Sequence, residues 1–135
     1  MFLPSFERGG ISLPAGFCFM LKAFKYRIFP TPPQKEFFEK HFGCCRLLYN
    51  LALDVKISAW KSVAQKNISI YEIKKEIKIL RKEFEWMKEI NCDSQHLTLL
   101  NLDSAYKKFF KEKKGFPKFK SKKGRQSFQL SFGVA

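Results

Sequence analysis

Apolar residues recur along this chain at two periods, and each period predicts a different element. After a capping-box sequence at Thr31–Gln34, apolar side chains return every three or four residues as far as about Val63. This spacing, with Pro32 at the first helical position, predicts a long amphipathic helix. A second capping box, Ser69–Glu72, opens another amphipathic stretch and predicts a second helix.

A third helix is predicted to begin near Asp93 or Ser94. Gly115 and Pro117 are the residues expected to end it. Trp86 lies between the second and third helices and is expected to fill the core. The expected inward stripe of the third helix consists of Leu99, Leu102, Tyr106, Phe109 and Phe110.

A period of two appears near both ends of the chain. Between residues 20 and 31, apolar side chains alternate with Lys25 and Arg27, which predicts a strand with a basic outer face. Residues 127–132 alternate in the same way and predict a second strand. Because two strands alone are marginally stable, we expect them to belong to an unfinished sheet in a domain cut short.

Residues 1–19 differ from the rest of the chain. They carry no net charge and hold three of its seven glycines. We expect them to be a disordered extension or a mis-called start, with translation beginning at Met20. The segment has neither the basic start nor the uninterrupted apolar run of a signal peptide.

Charge indicates the kind of partner. The chain has 135 residues with 26 Lys and Arg against 12 Asp and Glu, a net charge of +14, and 16 Phe. Such an excess usually serves a polyanion, and phenylalanines among lysines are typical of surfaces that stack bases. Residues 107–125 are the most basic stretch, with ten Lys and Arg and one Glu.

Other function classes find no support in the sequence. The four cysteines form no C-x-x-C pair, and no nucleotide-binding or nucleophile motif occurs. His41 and Cys44 have a possible ligand spacing on a helix, but there is no second pair to complete a metal site. We therefore expect no catalytic residue, no metal site and no cofactor. No apolar run is long enough to cross a membrane, so we expect a cytoplasmic protein with free thiols and no membrane partner.

The segment Gly115–Lys120 interleaves aromatic and basic residues. In an extended backbone Phe116 shares a face with Lys118 and Lys120, whereas Phe119 faces the other way. Phe116 is therefore expected to contact nucleic acid, and Phe119 to anchor the segment to the protein.

Two stretches, Met20–Thr31 and Phe42–Asn50, resemble the start of the OrfB/TnpB family of insertion-sequence transposases. The resemblance covers about residues 20–132. Further similar segments, in the expected order, are Ser69–Glu72, Leu102–Phe110, Gly115–Lys122 and Arg125–Phe128.

The resemblance implies a fold and a role. Full-length members of the family are RNA-guided DNA endonucleases whose RuvC-like nuclease domain lies well downstream. Residues 20–31 would be the first strand of a wedge β-barrel and residues 32–115 a helical recognition or helix-turn-helix domain. Residues 116–135 would be a basic segment and the truncated start of a second wedge strand. The expected fold is thus mainly α: a three- to four-helix bundle flanked by two β-strands of an incomplete wedge β-barrel.

By the same resemblance the chain is not itself an enzyme. Its expected partners are DNA and guide RNA, and the missing nuclease region could be a separate chain. Tyr71 matches a family position that contacts the short motif beside the target, and the helix around Gln95 and His96 matches another. The full set of expected nucleic-acid-binding residues is Lys22, Lys25, Arg27, Tyr71, Lys74, Lys75, Lys78, Gln95, His96, Lys107, Lys108, Lys111, Phe116, Lys118, Lys120, Lys122, Lys123 and Arg125.

Two other interpretations stay open at this point. A small stand-alone helix-turn-helix DNA-binding protein predicts a tight turn between two helices and a recognition helix rich in Arg, Asn and Gln. A basic RNA-associated structural protein of ribosomal type predicts disordered basic tails and no orphan strands.

Overall fold

Four α-helices form in residues 23–131, the part of the chain described by the computed structural model. Helix α1 covers Pro32–Lys61, α2 covers Ile70–Glu83, α3 is a single turn at Glu85–Lys88, and α4 covers Cys92–Glu112. The predicted disordered extension at residues 1–19 lies outside the described residues.

Both predicted capping boxes are present. Oε1 of Gln34 accepts a hydrogen bond from the Thr31 backbone N–H at 3.0 Å, and Oε2 of Glu72 accepts one from the Ser69 N–H at 3.1 Å. These contacts satisfy N–H groups that a helix start leaves without intrahelical partners. The starts of α1 and α2 are therefore where the sequence predicted them.

The core lies where α1, α2 and α4 meet. Leu48 and Leu53 of α1 and Leu99 and Leu102 of α4 are almost completely buried. From α2 the core receives isoleucines spaced three and four residues apart, at positions 70, 73 and 77. Because these isoleucines fix the rotation of α2, its lysines face outward.

A buried histidine links α1 to the start of α4. The Nδ1 atom of His41 lies 3.0 Å from the Phe37 carbonyl oxygen, and Nε2 accepts a hydrogen bond from the Asn91 backbone N–H at 3.3 Å. The side chain of Asn91 in turn caps α4 by accepting from the Asp93 N–H at 2.8 Å. His41 is thus a structural residue.

The prediction of two flanking β-strands was wrong: no strand forms anywhere between residues 23 and 131. Residues 23–31 are exposed and irregular. Residues 127–131 are irregular too, and they contact α1 through Phe128 and α4 through Gln129 and Ser131. Alternation describes the direction of side chains on an extended backbone, but a strand also needs a neighbour to share its hydrogen bonds. Within the described range neither segment has such a neighbour.

The predictions that Trp86 and Phe110 belong to the core were also wrong. Trp86 is 43% exposed, and Met87 beside it fills the core instead. Phe110 is 72% exposed, so the buried stripe of α4 is shorter than the apolar sequence pattern. Helix α4 ends at Glu112, before the predicted stop at Gly115, and the next residue, Lys113, adopts a left-handed conformation with φ of 51°.

Candidate nucleic-acid interface

One cluster of predicted residues forms between α2 and α4. Tyr71 is 69% exposed at the start of α2, and Lys74 follows it by three residues. The Lys74 Nζ lies 5.0 Å from the centre of the Tyr71 ring and makes a hydrogen bond with Nε2 of His96 on α4. The structure therefore brings together three residues that the sequence analysis took from two separate motifs.

Basic side chains extend from this cluster along both helices. Lys75 and Lys78 are exposed on α2, and Lys107 and Lys111 are exposed on α4, where Lys108 is half-buried. Lys107 Nζ forms a 2.8 Å ion pair with an Asp103 carboxylate oxygen, and this contact raises the pKa of Lys107. Part of the charge of Lys107 is therefore already balanced within the protein.

The basic region after α4 is fixed to the helices rather than hanging free. We call residues 116–131 the docked segment. Asn50 of α1 donates from Nδ2 to the Lys120 carbonyl oxygen at 2.8 Å and accepts at Oδ1 from the Lys120 N–H at 2.7 Å. One side chain thus replaces both hydrogen bonds that a neighbouring strand would have supplied to this residue.

A second polar residue shapes the turn that follows. Nε2 of Gln126 lies within 3.2 Å of three carbonyl oxygens, those of Ser121, Lys122 and Gly124. Its Oε1 accepts a hydrogen bond from Nη1 of Arg46 on α1 at 3.2 Å. Gln126 therefore holds the lysine-bearing turn and connects it to α1.

Phe128 anchors the end of the docked segment. Only 6% of it is exposed, and its ring centre lies 5.0 Å from that of His41 and 5.3 Å from that of Phe42. Farther out, Asn101 of α4 donates to Gln129 at 2.9 Å, and Ser131 donates to Asp93 at 2.9 Å. The alternating pattern read as a second strand is thus satisfied by a helix face.

These anchors leave a row of cations at the surface. Lys118, Lys122, Lys123 and Arg125 are exposed. Lys120 differs from them, because its Nζ lies over the Tyr49 ring at 4.3 Å and burial lowers its pKa. Lys120 is therefore partly used in holding the segment.

A small polar cavity lies under the docked segment. Its volume is about 100 Å³, and its lining includes Arg46, Lys120 and Arg125 with the amide side chains of Asn101 and Gln126. Three cationic side chains from two parts of the chain converge here, which makes the junction between α1 and the docked segment electropositive.

The structure packs Phe116 rather than Phe119 against aromatic side chains, so the expected anchoring by Phe119 was wrong, while contact of Phe116 with nucleic acid stays a prediction. Phe116 packs edge-to-face on Tyr106 and Phe109, with ring centres 5.6 and 5.3 Å away, and is 43% exposed. Phe119 is 55% exposed. Strict alternation does not describe this stretch, because Pro117 is buried while Phe116 and Phe119, on either side of it, are both partly exposed. Phe116 is thus the anchored ring of the pair.

Gln95 does not belong to the surface. It is 3% exposed, and its Nε2 donates to the Met87 carbonyl oxygen at 2.9 Å. A side chain used in this way holds α3 against α4 and cannot reach a nucleic acid in this structure. Helical spacing alone cannot separate this position from its exposed neighbour His96.

The predicted residues near the start of the chain are only partly described. Lys25 and Arg27 are exposed in the irregular segment before α1, with the Arg27 guanidinium 5.4 Å from the Phe29 ring centre. Lys22 lies outside the described residues.

Sequence reasoning missed the residues that position this surface. Asn50 and Gln126 were not among the expected site residues, although both lie inside segments that carry the family resemblance. The sequence feature that could have pointed to Asn50 and Gln126 is an amide side chain within a basic or aromatic motif. Its structural role becomes visible only once the two parts of the chain are seen in contact.

Residues 23–131 show no group of three or more His, Cys, Asp or Glu side chains arranged to hold a metal ion. Cys44 and Cys45 are buried free thiols and Cys92 is exposed. None of the helices in the described range is both long and apolar enough to cross a membrane.

Comparison with known proteins places the chain in a family. Residues 20–66 match the helix-turn-helix domain model of the OrfB/IS605 family. Virulence protein VsdF of Salmonella dublin is 33% identical over 116 residues, which cover 78% of this chain and 98% of VsdF. The chain belongs to the OrfB/TnpB family. A helix-turn-helix domain is a DNA-binding module, so this membership indicates a DNA-binding N-terminal region.

Two longer OrfB/TnpB relatives are named as RNA-guided DNA endonucleases. One, from Streptomyces pristinaespiralis, is 32% identical over 108 residues, which cover 76% of this chain and 26% of the relative. The other, InsQ of Escherichia coli strain K12, is 27% identical over 129 residues, which cover 84% of this chain and 29% of InsQ. The chain therefore spans between a quarter and a third of their length.

The described part of the family match in this OrfB/TnpB chain contains a single helix. Within residues 23–66, the described part of the matched range, there is one long helix, α1, and no second helix. The first rival interpretation required a tight turn between two helices, and the described part of the match does not contain one.

Proposed function

We propose that this chain is the nucleic-acid-binding N-terminal region of an OrfB/TnpB-type transposon protein. In this proposal it binds DNA and a guide RNA through the α2–α4 cluster and the lysines of the docked segment. The region holds nucleic acid and does not cleave it.

The observation that carries the proposal is the fixed position of the docked segment. Asn50, Gln126 and Phe128 each tie it to the helices, while Lys118, Lys122 and Lys123 remain exposed. Ordering lysines before binding lowers the entropy lost when phosphates are contacted. A free basic tail, expected for a ribosomal-type protein, would have no such anchors.

The choice of DNA and RNA together rests on the relatives. The two longer ones are named as RNA-guided DNA endonucleases, and this chain aligns with about a quarter to a third of each. Helix α4 borders both basic groups, with His96 beside α2 and Asn101 beside the docked segment. Such an arrangement gives a nucleic acid two lines of phosphate contacts.

Filter binding to a duplex and to a single-stranded RNA, at about 50 and 200 mM salt, tests the proposal. Affinity should fall steeply with salt, because each neutralised phosphate releases counterions. The double variant Lys122→Gln/Lys123→Gln should weaken binding and reduce the slope of log affinity against log salt by about two.

The matched control is Lys40→Gln/Lys88→Gln, which removes the same charge elsewhere. Lys40 lies 3.5 Å from carboxylates of Glu36 and Glu89, and Lys88 lies 2.8 Å from Glu85. These lysines already have acidic partners, so the salt slope should stay near that of the unmodified chain. Equal loss in both double variants would mean that only net charge matters, and the proposed surface would be wrong.

A further inference from the structure

An aromatic hollow opens between the C-terminal part of α1 and the C-terminal part of α4. The cavity measures about 540 Å³, within the range of about 300–1,000 Å³ usual for small-molecule sites. Its lining includes Trp60, Tyr106, Phe110 and Phe116. Trp60 is 61% exposed and Phe110 is 72% exposed, so neither ring belongs to the folded core.

The Phe116 ring is held in place by perpendicular packing on two rings of α4. Phe116 makes an angle of 86° with Tyr106 and 87° with Phe109, an edge-to-face arrangement that fixes ring orientation. Phe110 lies at 22° to Tyr106 with ring centres 6.4 Å apart. These contacts order the wall of the hollow that α4 and the start of the docked segment provide.

Three lysines line the same hollow, namely Lys56, Lys61 and Lys66. No carboxylate is among its lining residues. Lys56 Nζ donates to the Ile68 carbonyl oxygen at 2.9 Å and lies 4.9 Å from the Tyr106 ring centre. Burial lowers the pKa of Lys56, with Asp103 acting in the opposite direction. A ligand for this site should combine a flat apolar part with negative charge.

We propose that the hollow takes an unpaired base of a single-stranded polynucleotide, with the adjacent phosphates beside Lys61 and Lys66. The inference deepens the proposed nucleic-acid binding and rests on it. Stacking on aromatic rings accepts any base, because every base has a π-face, while lysines track the backbone. An acidic peptide would share the charge, but the four rings favour a planar group over an aliphatic side chain.

Tryptophan fluorescence provides a direct probe. The chain has two tryptophans, so in a Trp86→Phe background Trp60 reports alone. A single-stranded oligonucleotide of about 12 residues should quench Trp60. An abasic oligonucleotide of the same length and charge should bind through its phosphates and leave the fluorescence unchanged. A duplex of the same length should behave like the abasic strand.

Affinity provides the second readout. Trp60→Ala and Phe110→Ala should each weaken binding of the base-containing strand about tenfold, and leave binding of the abasic strand unchanged. Trp86→Ala is the matched control, because Trp86 is also partly exposed but does not line the hollow. Circular dichroism checks that each variant keeps its helices; both test residues are mostly exposed, so it should not change.

The outcomes distinguish failure of the base site from failure of the proposed function. If both strands bind equally and neither quenches Trp60, the hollow is not a base site, although the proposed function stands. If an acidic aromatic peptide quenches Trp60 and the oligonucleotides do not, the hollow belongs to a protein partner and the inference is overturned. If no polynucleotide binds at any salt concentration, the proposed function itself fails.

Discussion

Polar side chains at three positions serve backbone groups that have no partner in regular structure. Asn50 pairs with both backbone groups of Lys120, Gln126 serves three carbonyl oxygens of the turn, and His41 accepts from the Asn91 N–H. Buried or irregular backbone is costly without such partners. These three residues therefore determine the path of the chain where helices do not.

Cys44 should make stability depend on alkaline pH. Burial raises its pKa from 9.0 to about 12. Above pH 9.0 the thiol ionises first in the unfolded chain, so the stabilisation that is complete below this pH is lost as pH rises toward 12. The free energy of unfolding should therefore fall more steeply with pH in the unmodified chain than in Cys44→Ala, by up to about 1.4 kcal/mol per pH unit.

Urea unfolding at about pH 8 and pH 10.5 measures this difference. Lys56 and Lys120, whose pKa values are lowered, change stability in the opposite direction but equally in both proteins. Cys92→Ala removes an exposed thiol and should follow the unmodified chain. Parallel profiles for Cys44→Ala and the unmodified chain would show that the Cys44 thiol ionises as readily when folded.

At the scale of elements, the docked segment is an extended piece of chain that packs on helices without joining a sheet. Its apolar residue Phe128 packs on α1, and the side chains of Asn50 and Gln126 bond backbone groups between residues 120 and 124. Such an element has few cooperative hydrogen bonds. It should therefore open locally at a lower free energy than the helices.

Asn50→Ala tests this property. Losing two solvent-accessible hydrogen bonds should cost about 1 kcal/mol, mostly in local opening of the docked segment. Limited trypsin digestion should cut several-fold faster after Lys118, Lys122 and Lys123, while helical circular dichroism stays the same.

Asn67→Ala, in the loop between α1 and α2, is the control for removing an asparagine. It should leave the trypsin pattern unchanged. Unchanged cleavage in Asn50→Ala would mean that Phe128 and Arg46 hold the segment without Asn50, and that the hydrogen bonds to Lys120 contribute nothing to its order.

At the scale of the whole molecule, positive charge is in large excess. With a net charge of +14, the folded chain brings many like charges close together, and self-repulsion destabilises the compact state. The ion pairs Lys40–Glu36 and Lys88–Glu85 are exposed, and salt screens such surface pairs. Repulsion should therefore outweigh them in the response to salt.

Raising sodium chloride from about 50 to 500 mM should increase the melting temperature of the free chain by roughly 5 °C, which corresponds to about 1 kcal/mol. Thermal unfolding followed by circular dichroism measures it. Lys122→Glu/Lys123→Glu lowers the net charge from +14 to +10 and should reduce the effect. A melting temperature that falls with salt would mean that the ion pairs dominate.

The sequence by itself determined the three long helices, the starts of α1 and α2, and the family. Capping boxes at Thr31 and Ser69 and the three- and four-residue spacing of apolar positions act within a few residues of chain, so they can be read without knowing the fold. The excess of lysine and the OrfB/TnpB motifs are likewise local, and they indicated nucleic acid before any contact was known.

Only the tertiary structure decided how the remaining residues are used. Alternation at residues 127–131 is the same for a strand and for a segment that packs Phe128 on a helix, and what lies beside the segment decides between them. Gln95 and His96 are neighbours in sequence, yet one is buried and the other faces Lys74, because helix rotation is fixed by distant core contacts. The clamp from Asn50 to Lys120 spans 70 positions of the chain. Partners so far apart in sequence are brought together by packing, and no local pattern encodes them.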